Sequence, residues 1–408
     1  MQFGKMVTTR RRANIMSRMD WHRCKFLESC DNLKPLVKRR FGREPNTSTA
    51  REIIACLQQG RLFYEAAEHS PLEIAPLQLF YGMVGFSKAL IVASSLRPLS
   101  TLKPSHGIND VSAAMSRIAD QRVKIGEGGT FQEFNDVAAK LTRVCYMNFR
   151  TNGRHTVFLP SAESSQLSGI SLSLREILTR IPGLEPLYKM TFGADAQTAS
   201  MTIQTPRLSS GSFQIQIQDD AIFSDLESLK EIVGRWRERF PFLRRWRLES
   251  AGYAWGHTFV DFGNLPTDDL DEFSEEYATC ENGTFQHIAK SANGVRRFRL
   301  KEGLDAVGSY LSGGSYLISP VQGSNFSEFS LQYLALFLLS SLVRYRPQIW
   351  AHSISRSVIG DKPADDSMLS LIEKFLDLNR STIPELVVGV LNPSEDFYGS
   401  YNEPEADE

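Results

Sequence analysis

The sequence predicts a mainly helical α+β fold: a helical bundle from N- and C-terminal helices, with a strand-rich region inserted between them. Apolar residues recur at helical spacing over 47–96 and again from 325 onward. Between these stretches, from about 199, the period changes to alternation, as in Ser212-Phe-Gln-Ile-Gln-Ile-Gln218, the pattern of half-buried strands. With 408 residues, 42% of them hydrophobic and 23% charged, the chain can bury two or three cores without disulfide or metal support. Five units follow: a basic arm over 1–45, a helical part over 46–195, a strand-rich insertion over 196–310, a second helical part over 311–392 and an acidic tail over 393–408.

The arm carries twelve lysines and arginines against Asp20, Glu28, Asp31 and Glu44, whereas the tail from Glu395 to Glu408 has six acids and no base. Such charged ends are usually solvated, and a basic arm also suits phosphate. Thr47 or Ser48 caps a first helix that breaks near Ser70-Pro71. Pro76 opens a second, since its missing N–H would be unpaired there anyway. This second helix is apolar nearly all round and so is central. Gly82 and Gly85 within it predict close approach of a neighbouring helix.

Residues 97–135 read as loop, punctuated by Pro98, Pro104, His106-Gly107 and Gly126-Glu-Gly-Gly129. The glycine run lacks the Lys-Ser/Thr of a P-loop and reads as a turn between strands. A short helix over 171–180 takes Ser171 or Ser173 as its cap. Strands are expected at 201–205, 212–218, 246–253, 257–262 and 295–300, with a helix over 224–239 whose acids come early and arginines late. A long apolar helix covers 329–344 and stops at Arg346, because a residue before proline avoids the α region. Trp350 then packs back from the next helix. A helix over 367–378 follows, and Pro384 opens a last short one over 385–391.

Net charge is −1, so bulk charge selects no partner. Cys24, Cys30, Cys56, Cys145 and Cys280 are scattered and never in CxxC spacing. They read as free thiols of a reducing, cytoplasmic compartment. His22, Cys24 and Cys30 lack a fourth metal ligand, so neither metal nor cofactor is expected. No membrane span is expected either. Gln78 and Lys88 interrupt the apolar stretch Ile74 to Leu96, and Leu331 to Val343 is short of the roughly 20 residues a span needs.

Several stretches together resemble the YaaC-like family of bacterial proteins. They are Gly60-Arg-Leu-Phe-Tyr-Glu-Ala-Ala67; Ile74-Ala-Pro-Leu-Gln-Leu-Phe-Tyr-Gly82 with Lys88-Ala89; and Ser105-His-Gly107 with Lys124-Ile125 and Gly129-Thr-Phe131. Leu174-Arg-Glu-Ile177, Ile181-Pro182, Leu339-Ser340 and Arg344-Tyr-Arg-Pro347 with Trp350 complete the set. Their order holds from about residue 50 to 390. The resemblance implies a bacterial-type cytosolic protein and no particular reaction.

Three candidate sites carry chemistry. Arg346-Pro-Gln-Ile-Trp-Ala-His352 resembles the Arg-and-His signature of HEPN-type ribonucleases, helical proteins that usually act as dimers. Histidine accepts a proton near neutral pH, and arginine neutralises charge building on the phosphate. Pro347 departs from the polar residue usual after that arginine. Second, His106 lies in a loop before Gly107, where it serves either catalysis or loop anchoring. Third, Arg235, Arg237, Arg239, Arg244, Arg245 and Arg247 interleave with Trp236, Phe240, Phe242 and Trp246. That pattern suits nucleic acid if the rings are exposed, and a helix end docked on a core if they are not. The sequence thus points to a binding or regulatory protein acting on a protein or nucleic acid, or alternatively to a metal-independent ribonuclease, toxin or phage-defence effector, working as a homodimer through Arg346 and His352.

Overall fold

The first core begins where two long helices meet through glycine. In the computed structural model the described residues are 21–114, 116–149, 153–205, 212–265, 272–273, 278–281, 283–287, 297–309, 316–355 and 367–392. The acidic tail and the first 20 residues of the basic arm lie outside them. Helices α1 (Trp21–Phe26), α2 (Cys30–Phe41), α3 (Thr47–Glu68) and α4 (Ala75–Ser95) come first. Asn46 caps α3, its side chain accepting the Thr49 N–H at 2.8 Å, one residue earlier than expected. A Cβ at Gly85 would stand 2.9 Å from the Gly60 nitrogen and 3.1 Å from the Cys56 carbonyl oxygen. One at Gly82 would meet the Tyr64 ring at 2.5 Å. Fully buried Tyr64 donates its hydroxyl to Asn379 at 2.7 Å. Among the described residues α4 is the one helix long and apolar enough to cross a membrane, and 72% of its apolar window is buried inside the protein.

The stretch expected as loop holds regular structure instead: β1 (Ile108–Asp110), β2 (Arg122–Ile125) and α5 (Thr130–Ala139). After them come β3 (Arg143–Asn148), β4 (Gly153–Phe158), α6 (Ser164–Leu167), β5 (Ser171–Ser173), α7 (Leu174–Leu178) and α8 (Glu185–Phe192). β1, β2 and β5 form an antiparallel three-stranded sheet within the helical part. Strands of three or four residues are too short to show alternation. Ser173 caps α7, accepting the Glu176 N–H at 3.1 Å while the Glu176 carboxylate accepts the Ser173 N–H at 2.7 Å.

The second core lies under a large sheet. Its elements are β6 (Thr198–Thr205), β7 (Gln214–Asp219), α9 (Leu226–Arg239), β8 (Arg247–Ala254), β9 (His257–Gly263), β10 (Ala278–Glu281), β11 (Thr284–His287), α10 (Leu300–Gly303), β12 (Val307–Gly308) and β13 (Tyr316–Ile318). The spatial order is β10-β11-β8-β9-β7-β6-β13-β12, and the β3–β4 hairpin joins alongside β6, with Met147 opposite Gln204. Alternation sorts the two faces. Met201, Ile203, Ile215, Ile217, Val260 and Phe262 are buried in one core with Leu229, Ile232, Val233 and Trp236 of α9, while Ser200, Thr202 and Gln218 are exposed. Of the strand expected at 295–300, residues 295–296 lie outside the described set, 297–299 are irregular and Leu300 opens α10.

α11 (Glu328–Tyr345), α12 (Pro347–Ile354) and α13 (Leu369–Leu391) return to the first core. α11 stops before Arg346-Pro347 as the proline requires, and buried Trp350 donates its indole N–H to the Glu73 carbonyl at 3.1 Å. α13 runs unbroken through Pro384, where a new helix was expected. Proline's fixed φ is helical, and apolar packing on both sides, from Phe375 to Leu391, holds the helix across the missing N–H. The α+β class therefore stands. The picture of a helical bundle with one inserted strand region does not, because strands occur at 108–125, 143–158 and 171–173 as well.

Candidate functional site

Three bases from distant parts of the chain converge where α4, α11 and the loop before β1 meet. The loop is pinned by the N-terminus of α5. The Ser105 carbonyl accepts the Thr130 N–H at 2.9 Å, and the His106 carbonyl accepts the Phe131 N–H at 3.0 Å. These contacts use two of the amides that a helix start leaves unpaired. Gly107 has φ +75°, and a Cβ there would strike the Gln132 amide, which donates to the Gly107 and Gly126 carbonyls at 2.7 and 2.9 Å. A Cβ at Gly129 would lie 2.4 Å from the Gly107 nitrogen. The run 126–129 is thus a strand-to-helix turn between β2 and α5, not a turn between strands. It cradles the 105–107 loop, and the Gly126 N–H is taken by the Gly107 carbonyl at 2.9 Å.

That cradle fixes His106, whose half-buried ring packs edge-on against Phe80 at 5.1 Å and lies 6.3 Å from Phe337. Burial, then the fields of Arg344 and Lys88, hold its pKa below the ordinary 6.5. Arg344, in the last turn of α11, donates to the Tyr81 hydroxyl at 3.2 Å. Its guanidinium lies over Tyr345 at 4.9 Å, Tyr81 at 5.8 Å and Phe80 at 5.9 Å. Phe63 stands 5.8 Å from Tyr81. Lys88 is the single charged residue of α4. Among the described residues no carboxylate forms an ion pair with Lys88, His106 or Arg344, and the fields of both cations reach the His106 ring.

Of the predicted ribonuclease pair, Arg346 is engaged within the fold. Arg346 donates to Gln121, to Asp110 at 3.1 Å and to the Ser112 carbonyl at 3.5 Å. Asp110 is itself held by the Ser112 hydroxyl at 2.5 Å and the Ser341 hydroxyl at 2.6 Å. The guanidinium is thereby committed to tying β1 to the α11–α12 corner. His352 lies half-buried on α12.

The arginine-rich stretch docks on the second core. Trp236, Phe240, Phe242 and Trp246 are all buried, as in the reading of a helix end docked on a core. Arg237 bonds Glu272 at 2.7 Å and two carbonyls; Arg239 bonds the Ala196 and Thr198 carbonyls; Arg235 bonds Asp219. Arg245 is exposed and reaches the Glu302 carbonyl at 2.9 Å, Arg244 is exposed, and Arg247 lies on β8 with a buried Nε unpartnered among the described residues. Among those residues no group of three histidines, cysteines or acids could hold a metal ion.

A protein-family model described as YaaC-like Protein matches residues 25–391. The chain belongs to the YaaC-like family. No curated protein and no solved structure matches it. Several of the YaaC-like stretches quoted from the sequence lie around His106 in this fold. Tyr81 and Lys88, Ser105-His-Gly107, Gly129-Thr-Phe131 and Arg344 either form the basic pocket or hold the loop that completes it. Sequence reasoning singled out His106 but missed its partners. The signal was present in Lys88, a lone charge on a helix apolar nearly all round.

Proposed function

We propose that this YaaC-like protein is a binding protein for a phosphate-bearing partner, a nucleotide or nucleic acid, and that Lys88, His106 and Arg344 receive the phosphate. The supporting observation is the convergence of these three bases without a compensating carboxylate. Partly buried cations left unpaired are costly unless an anion completes them. The rings of Phe63, Tyr81 and exposed Tyr345 add flat surface suited to a base. The Tyr81 hydroxyl, oriented by Arg344, gives the site a neutral hydrogen-bonding group.

The test is binding of inorganic pyrophosphate and of a short oligouridylate by calorimetry, across a range of salt. Lys88→Gln and Arg344→Gln are each expected to weaken both ligands by about tenfold and to lower the salt slope for the oligonucleotide by about one. Wild-type affinity in both variants, with the fold intact by circular dichroism, would refute the assignment.

A further inference from the structure

The exposed face of the large sheet carries a second site of different chemistry. Tyr316 of β13 pairs with Ser200 of β6, and Gln218 of β7 pairs with Phe259 of β9. Continuing the β6–β7 register from Met201 opposite Ile217 sets Ser200 beside Gln218. These four residues form one row across four adjacent strands, roughly 14 Å long at ~4.8 Å per strand. Trp255 extends the row, with its ring at right angles to Phe259 at 6.0 Å. Tyr316, Ser200, Gln218 and Phe259 all line a cleft of about 860 Å³, walled on one side by α8 and on another by the end of α9.

Trp255 is placed against the preferences of its own backbone. It has φ +52°, Gly256 follows at +86°, and the side chain is 90% exposed. This two-residue hairpin turn favours Asn-Gly, and a bulky residue in the left-handed region is strained. An exposed tryptophan in a strained turn, touching a ring that lines the cleft, suits contact with a ligand that extends past Phe259.

The cleft's three bases are matched from within, beside the carboxylates of Glu185 and Asp220. Lys189 pairs with Asp195 at 2.9 Å, Arg235 with Asp219 at 3.2 Å, and Arg239 is held by carbonyls. The side chains of Ser200, Thr202 and Gln218 make no protein hydrogen bond among the described residues, and the buried Thr198 hydroxyl lining the same cleft is unpartnered among them. What remains on offer is neutral hydroxyls and amides between aromatic rings. Asp219, Asp220 and Asp261 on this side oppose a phosphate backbone, which needs a basic track.

The geometry points to an uncharged oligosaccharide lying along the row Tyr316–Ser200–Gln218–Phe259–Trp255. Its hydroxyls meet the Ser and Gln side chains, and the C–H faces of its rings stack on Trp255 and Phe259. This site is separate from the basic pocket and does not depend on it.

The experiment titrates maltohexaose, cellohexaose and chitohexaose into the full chain, followed by tryptophan fluorescence and calorimetry, with oligouridylate as comparison. At least one sugar is expected to bind, and Trp255→Asn is expected to weaken it by about tenfold or more. Asparagine suits the left-handed turn, so the same variant is expected to unfold at an equal or higher temperature, which separates lost contact from lost fold. Gln218→Ala serves as the second variant. Silence of all three sugars at millimolar concentration, or sugar affinity unchanged in both variants, would overturn the proposal. So would oligouridylate binding lost in Trp255→Asn while the sugars stay inert.

Discussion

The same substitution at two helical glycines should move stability in opposite directions. Gly85 and Gly234 both sit inside α-helices, where replacing glycine by alanine gains about 1 kcal/mol of helix propensity. At Gly234 of α9 an added Cβ meets nothing within 4 Å, so that gain should appear in full, roughly 0.5–1 kcal/mol of stabilisation. At Gly85 the Cβ lands 2.9 Å from the Gly60 nitrogen and 3.1 Å from both the Cys56 oxygen and the Gly60 Cα. All three are backbone atoms, and no side-chain rotation relieves them. α3 and α4 must separate, and overpacking of this kind costs about 1–3 kcal/mol or more. The net expectation for Gly85→Ala is destabilisation by up to roughly 2 kcal/mol after the propensity gain. Urea unfolding followed by circular dichroism measures both variants. Stabilisation by Gly85→Ala equal to that of Gly234→Ala would refute the close helix contact.

Three further outcomes follow from the geometry. Arg346→Ala should cost roughly 1–3 kcal/mol by leaving Asp110 and Gln121 short of a partner; thermal unfolding beside wild type measures the loss. Burial pushes the Asp110 carboxyl up, but the Ser112 and Ser341 hydroxyls, the Ser112 N–H and Arg346 outweigh it and hold the group below its ordinary 3.8. A depressed carboxyl stabilises above its unfolded pKa and loses that contribution as pH falls through the folded value. Urea midpoints taken from neutral to strongly acidic pH should therefore fall less steeply at the acid end in Arg346→Ala than in wild type. Burial raises the Cys24 thiol to about 12 and the Cys56 thiol to about 11. Mass mapping after iodoacetamide at mildly alkaline pH should find both unmodified until denaturant is added.

The long elements were legible because they are periodic. α3, α4, α9 and α11, and the paired strands β6 to β9, are long enough for burial on one side to mark every second or every third and fourth residue. Three places were not legible, for three physical reasons. β1, β2 and β5 are too short to alternate, and their pairing is decided by the α5 cradle and by Arg346, contacts remote in sequence. Pro384 reads as a helix breaker because propensity sees only the lost N–H, whereas packing over the whole of α13 sustains the helix. For Trp236, Phe240, Phe242 and Trp246 the sequence leaves base stacking and docking on a core both open, because only the sheet beneath them decides which way the rings face. The basic pocket was half visible. His106 stood out, but Lys88 and Arg344 lie 256 residues apart in sequence, and only the packing of α4 against α11 brings them to the same histidine.

The charge on that histidine reports most directly on the central claim. An NMR titration of the His106 imidazole, with and without inorganic pyrophosphate, follows its pKa in wild type and in Lys88→Gln and Arg344→Gln. The free protein should titrate below 6.5, each variant should titrate higher than wild type, and pyrophosphate should raise the wild-type value. A His106 pKa that neither the ligand nor the loss of either cation moves would contradict the assignment of this pocket to an anion.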